Sequence, residues 1–151
     1  MSRWELLECK AGFEHLEHTA DVLIEARGRS LSEAFEYAAL ATYEVMTDTS
    51  RVEPRVMVEV KVEGVDLLNA LYRWIEELIA RTDSSRLVFS KFKVHKIEIG
   101  HDNVRLEAEA WGEHFDIERH PSRTLVKAMT YAQMEMKEEG GCWTVKFVVD
   151  I

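Results

Sequence analysis

Asp21 and Asp150 are the residues of this chain best placed to do chemistry. Asp21 closes the stretch Gly-Phe-Glu-His-Leu-Glu-His-Thr-Ala-Asp that begins at Gly12, and the apolar run Val22-Leu23-Ile24 follows it directly. Asp150 follows the apolar stretch Trp143 to Val149 and stands next to the final Ile151. A carboxylate at the mouth of a buried strand is held by packed backbone while its oxygens face open space. With the terminal carboxylate of Ile151, the two side chains offer several hard oxygens and no soft ligand, a set suited to Ca²⁺ or Mg²⁺ over zinc. The residue types leave two readings open: a divalent-cation site whose affinity falls as the carboxylates protonate, or a turn residue at Asp21 and a solvated strand end at Asp150. A third arrangement, His15-x-x-His18-x-x-Asp21, has zinc spacing only if the segment makes a helical turn, which Leu16 and the following strand oppose.

Lys127 is a cation in a largely apolar strand, on the parity shared by Met129 and Tyr131. Either its ammonium is exposed beyond a covered stem, or it pairs with one of these carboxylates or with a phosphate. His95, His101 and His114 read as surface or hairpin residues, and Trp74 and Trp143 as core. No nucleophile elbow, phosphate loop or dinucleotide turn is present, so no conventional enzyme is visible.

The elements that must hold these groups are read from periodicity. Ser30 and Glu33 make a capping box for a helix from Ser30 to Met46, with Leu31, Ala34, Phe35, Ala38, Ala41 and Val45 at helical spacing. After Pro54, Val56, Val58, Val60 and Val62 alternate with mostly polar residues as a half-buried strand. Asp66 caps a second helix, read as the most hydrophobic in the chain, with the stripe Leu67, Leu71, Trp74, Ile75, Leu78 and Ile79 ending before Asp83-Ser84-Ser85. Leu87 to Ile99 is a strand whose apolar parity switches near His95, so a bulge is expected there. A turn at residues 100–103 leads into its antiparallel partner, Val104 onward. Residues 116–123 are a connector with room for a helical turn. Leu125 to Lys137 has helical composition but alternates, and is read as a strand. Residues 138–141 form the loop to the last strand, whose Trp143, Val145, Phe147 and Val149 face the core while Thr144, Lys146, Val148 and Asp150 face away. The order predicts an α+β fold, mostly antiparallel sheets packed with two α-helices, in a single domain spanning 1–151.

Length and composition agree: 151 residues with 46% apolar and 31% charged suit one globular domain. No run approaches the ~20 apolar residues a membrane helix needs, and the N-terminus does not read as a secretory signal, so the expected location is cytoplasmic. Net charge is −9, with no dense Lys/Arg cluster, which argues against direct nucleic-acid binding and suits a basic protein partner or a hard cation. Cys9 and Cys142, at opposite ends, read as ordinary residues. Glu and Lys abound while Asn69, Asn103 and Gln133 are the only amide residues, a bias of thermophilic proteins. Thermophily raises the case for pairing the two cysteines.

Six segments, in chain order, resemble the archease family: His18-Thr19-Ala20-Asp21, Met46-Thr47-Asp48, Trp111-Gly112-Glu113, His120-Pro121, Val126-Lys127-Ala128-Met129-Thr130-Tyr131 and Val149-Asp150-Ile151. The resemblance spans nearly the whole chain. It implies an accessory protein, not an enzyme, that activates the RtcB-type tRNA-splicing RNA ligase. Activation there means promoting guanylylation of the ligase's active-site histidine, allowing multiple turnover and broadening the nucleoside triphosphates accepted. It also implies a divalent-metal site, Ca²⁺ with Mg²⁺ or Mn²⁺ as alternatives, on Asp21, Asp150 and Ile151. Lys127 falls on a position important for activation, and His18 and Asp48 become candidates to bond to the metal's ligands. Two other classes stay open: a chaperone or modulator of an RNA or DNA methyltransferase, and a metal-dependent phosphoesterase.

Overall fold

The computed structural model describes residues 9–16 and 21–151. Among them the elements run β1 Gly12–Leu16, β2 Asp21–Gly28, α1 Leu31–Met46, β3 Val56–Gly64, α2 Leu67–Ser85, β4 Leu87–Ile99, β5 Val104–His114, β6 Ala128–Glu139 and β7 Cys142–Asp150, with a 3-10 turn at Thr49–Arg51. They form a four-stranded sheet in the order β1-β2-β7-β6 and a three-stranded sheet in the order β3-β5-β4, with every pairing antiparallel. α1 packs on β1, β2 and β7 and also on β4, while α2 packs on β6 and also on β3, β4 and β5. Each helix thus bridges both sheets, and the α+β architecture read from the sequence holds.

Local chemistry explains the elements. Ser30 Oγ accepts from Glu33 N–H at 3.1 Å and Glu33 Oε1 accepts from Arg29 N–H at 2.8 Å, satisfying donors at the start of α1. α1 buries eight of its 16 residues and α2 six of its 19, so the first helix, not the second, is the more hydrophobic, while α2 buries the larger side chains Leu71, Trp74, Ile75, Leu78 and Ile79. Where the helices meet, Tyr43 Oη donates to Leu78 O at 2.9 Å and Trp74 Nε1 donates to Phe35 O at 3.0 Å, so two fully buried polar groups are satisfied. Burial pushes the Tyr43 phenol pKa well up. α2 runs through Asp83-Ser84-Ser85, beyond its expected end. The two serine hydroxyls bond back to Arg81 O, and the helix stops at Arg86, which is left-handed at φ 61°.

The bulge expected near His95 is present, and a second one lies at Ser90. Beside that second bulge Gly112 passes so close to β4 that a Cβ would lie 1.8 Å from Val88 O, so a larger residue requires backbone movement. At the outer edge of β4, the Val94 N–H donates to Glu36 Oε2 of α1 at 2.8 Å. Burial raises the Glu36 pKa, against the lowering effect of that bond.

β6 is a strand, as the alternation suggested, but it starts at Ala128. Its register jumps from Thr130↔Val148 to Glu135↔Lys146, leaving residues 131–134 opposite Phe147 alone. Gln133, at φ 54°, lies in this bulge, and Tyr131 is turned out to the surface at 55% exposure. The β6–β7 connection is a two-residue turn, Gly140-Gly141, with both φ positive, so the loop is shorter than expected.

Cys9 and Cys142 form a disulfide, with Cα atoms 5.1 Å apart and a sequence separation of 133. Reading them as ordinary residues is therefore corrected. The cause is topology: β1 and β7 flank β2, so the segment leading into β1 and the first residue of β7 meet at the end of β2 marked by Gly28.

Candidate metal centre

β2 and β7 pair over eight rungs, and the last of these sets Asp21 directly opposite Asp150. Period two puts both on the face shared by Leu23, Glu25, Val148 and Lys146, away from the core face of Val22, Ile24, Phe147 and Val149. The next strand continues the row, since Ala128 is also the partner of Asp150. Asp150 is exposed and Asp21 half-buried, with Asp21 Oδ1 itself buried. Ile151, half-buried, packs against the core with its main chain beside Asp150. Like charges directly opposed across two strands destabilise the pair, and a cation between them reverses that cost. Among the described residues no group of three or more His, Cys, Asp or Glu side chains gathers. A cation at this end would therefore draw on the two carboxylates and main-chain oxygens, a donor set that fits a hard divalent ion.

Lys127 lies one residue ahead of β6 and not within the strand. Its N–H donates to Asp150 O at 2.8 Å while its side chain is exposed, so the residue sits beside the carboxylate pair. The other sequence candidates are placed differently. Asp48 caps the 3-10 turn, where Asp48 Oδ1 accepts from Ser50 N–H at 3.0 Å and Ser50 Oγ at 2.6 Å, bonds that lower its pKa. His15 is in β1, and its ring Nε2 donates to Ala41 O of α1 at 3.0 Å, so the helical-turn zinc arrangement does not form around it. His18 lies outside the described residues.

A buried cluster that carried no role in the sequence reading holds the connector leading to Lys127. Its central pair, Glu113 and His120, comes from the segments Trp111-Gly112-Glu113 and His120-Pro121. His120, fully buried, accepts from Asp116 N–H at Nδ1 (2.9 Å), so its Nε2 carries the proton and donates to Glu113 Oε2 at 3.0 Å. Glu113 also accepts from Glu53 N–H at 2.8 Å and pairs with Arg119. Burial alone would raise the Glu113 pKa, but these hydrogen bonds and the Arg119 charge outweigh it and hold the carboxyl down at about 2. Further along, Arg123 N–H and Thr124 N–H donate to Met46 O and Val45 O, covering the last carbonyls of α1. Arg123 Nη1 reaches Glu44 Oε1 at 2.9 Å, and Val126 is buried. The chain therefore arrives at Lys127 along a fixed path.

Replacing Glu113 by Ala leaves the Glu53 and His120 donors without their acceptor and is expected to cost about 3 kcal/mol near neutral pH. The folded-state pKa is depressed, so this stabilisation is full above the ordinary carboxylate range and is lost as pH falls toward about 2. Thermal melts of wild type and Glu113→Ala from pH 7 down to pH 2 should therefore converge; a gap unchanged at the acid end would contradict the assignment.

Residues 13–151 match the model of the Archease protein family (MTH1598/TM1083). Protein archease of Aeropyrum pernix is 61% identical over 96% of this chain and 100% of its own length. That of Sulfurisphaera tokodaii is 55% identical over 92% and 98%. The solution structure of Methanobacterium thermoautotrophicum protein 1598 superposes with a TM-score of 0.81 at 41% identity, covering 93% of this chain and 99% of that one. The crystal structure of an archease, possible chaperone, from Thermotoga maritima shares the fold at a TM-score of 0.54 and 18% identity, over 91% and 96%. Family model and relatives agree over nearly the full length: this chain belongs to the archease family.

Proposed function

We propose that this protein is an accessory factor that activates an RtcB-type tRNA-splicing RNA ligase, promoting guanylylation of the ligase's active-site histidine, sustaining multiple turnover and broadening the nucleoside triphosphates used. The observation that carries this reading is the convergence of Asp21, Asp150 and Lys127 at one end of the four-stranded sheet. Asp21, Asp150 and a main-chain oxygen of Ile151 would hold a divalent cation, Ca²⁺ first and Mg²⁺ or Mn²⁺ as alternatives. Such an ion would supply concentrated positive charge able to engage phosphate oxygens. The chain's own contribution is to oppose the two carboxylates across a fixed register and to anchor the backbone of Lys127 to Asp150, which leaves the exposed Lys127 side chain at the same end of the sheet to meet an anionic group of the partner complex. A role exerted on another protein also accords with the description of the Thermotoga relative as a possible chaperone. No described helix is long and apolar enough to cross a membrane.

Lys127→Met tests the reading. The side chain is exposed and its only described backbone bond survives the change, so the variant should melt like wild type. Loss of a charge paired with a phosphate should cut ligase stimulation by at least about tenfold. Full stimulation by the variant would refute the role of Lys127. Phosphoester cleavage by the purified protein alone, lost in Asp21→Ala, would indicate an enzyme, and suppression of aggregation of unrelated proteins would indicate a general chaperone.

A further inference from the structure

We propose that Glu76 of α2 is a positioning residue for ligase activation, acting through the first residues of β6 on Lys127 and Asp150. The proposal rests on the function given above. β6 is the outer strand of its sheet, so one side of its backbone has no partner strand. Before the bulge it makes only the rungs Ala128↔Asp150, Met129↔Val149 and Thr130↔Val148. Three rungs at a sheet edge are weak restraint for the strand end that carries Lys127 and flanks Asp150.

α2 supplies the missing restraint. Asn69, Tyr72 and Glu76 follow one another at spacings of three and four and so share a helix face. Each engages the same short part of β6. Glu76 Oε1 accepts from Met129 N–H at 2.8 Å. The Tyr72 ring lies flat on Tyr131, centroids 4.3 Å apart and 4° from parallel. Asn69 Nδ2 donates to Tyr131 Oη at 2.6 Å. Of these contacts the Glu76 bond is nearest to Lys127, two residues away. Lys127 is fixed on the other side by its own N–H to Asp150 O. The junction is therefore held between β7 and α2.

Glu36 provides an internal control, because it makes the equivalent bond from α1 to the outer edge of β4, at Val94 N–H, on the other sheet. If edge capping matters only for folding, the two glutamates should behave alike.

The experiment compares the full-length wild type with Glu76→Ala, Glu76→Gln and Glu36→Ala. It measures ligase guanylylation at saturating activator, the half-saturating concentration, thermal melting and amide hydrogen exchange. Glu76→Ala should lower the saturating rate by about tenfold without shifting the half-saturating concentration, since displacement of about an ångström is enough for such a loss. Glu76→Gln keeps a carbonyl acceptor for Met129 and should recover the rate to within about twofold. Glu36→Ala should keep the wild-type rate despite a comparable loss in melting temperature. Exchange at Met129 and Lys127 should accelerate in Glu76→Ala and not in Glu76→Gln. A wild-type rate in Glu76→Ala, no recovery in Glu76→Gln, or an equal loss of rate in Glu36→Ala would overturn the proposal. A wild type that gives no stimulation would refute the function above instead. The exchange arm then still judges the positioning claim, which unaltered protection at Met129 and Lys127 in Glu76→Ala would overturn.

Discussion

With the proposed cation site, Asp150→Asn is expected to leave the metal-free protein as stable as the wild type or slightly more so, and to remove most of the stabilisation expected from calcium in the wild type. Both halves follow from the pairing of Asp21 with Asp150 on one rung of the β2–β7 ladder. Without a cation the two carboxylates repel, a cost of about 0.5 kcal/mol for like charges across a strand pair, which the amide removes. With a divalent cation each carboxylate contributes attraction on the order of a few kcal/mol at the effective dielectric of a protein surface. Removing one should weaken binding by roughly a hundredfold or more. At a calcium concentration of about 100 times the dissociation constant, linkage gives the wild type about 2.7 kcal/mol. For a chain of this size that corresponds to a melting-temperature rise of roughly 5–10 °C. Asp150→Asn at the same calcium concentration should show little of it. Melts with EDTA and with calcium, together with calorimetric titration, read both halves. A wild type unaffected by calcium, or an Asp150→Asn variant with the full calcium shift, would contradict the site.

Breaking the Cys9–Cys142 bond should produce the largest loss of stability available from a single covalent change. The bond closes a loop spanning 133 residues of sequence, nearly the whole chain. Chain-entropy reasoning assigns such a cross-link about 5 kcal/mol through restriction of the unfolded state. Reduction, or Cys142→Ser, should lower the melting temperature by about 10 °C or more. The double substitution should be no worse than either single one, because both remove the same bond. A melting temperature insensitive to reductant, or additive losses in the double variant, would show that the cross-link contributes little. The clasp lies at the Gly28 end of the ladder and the carboxylate pair at the other, so the reduced protein that remains folded should keep its calcium affinity.

Most of the fold was legible because burial imposed a clear period. The alternation Val56 to Val62, the stripe Leu71, Trp74, Ile75 and Leu78, and the parity switch at His95 each correspond to an element or bulge in the structure. What escaped depended on partners remote in sequence. The end of α2 was set by serine hydroxyls bonding back to Arg81, which composition alone had marked as a turn. The β6 bulge leaves residues 131–134 apolar enough to look like an unbroken strand. The disulfide follows from β1 and β7 flanking β2, which no spacing reveals. The site was half legible. Asp21 and Asp150 stood out as acids at the ends of apolar strands, but their shared rung required the register. Glu113 and His120 were visible only as members of segments that resemble a family, since their hydrogen bond spans seven residues across the end of β5.

The proposed function has this chain acting on a ligase and not on a substrate of its own. The most direct measurement is covalent transfer of labelled GMP from GTP to the ligase's active-site histidine, with the ligase and this protein purified separately. The account predicts that wild-type protein accelerates formation of the ligase–GMP adduct and permits repeated cycles, that Lys127→Met and Asp21→Asn do not, and that no label or hydrolysis product appears when the ligase is omitted. Adduct formation at the same rate with and without this protein would contradict it.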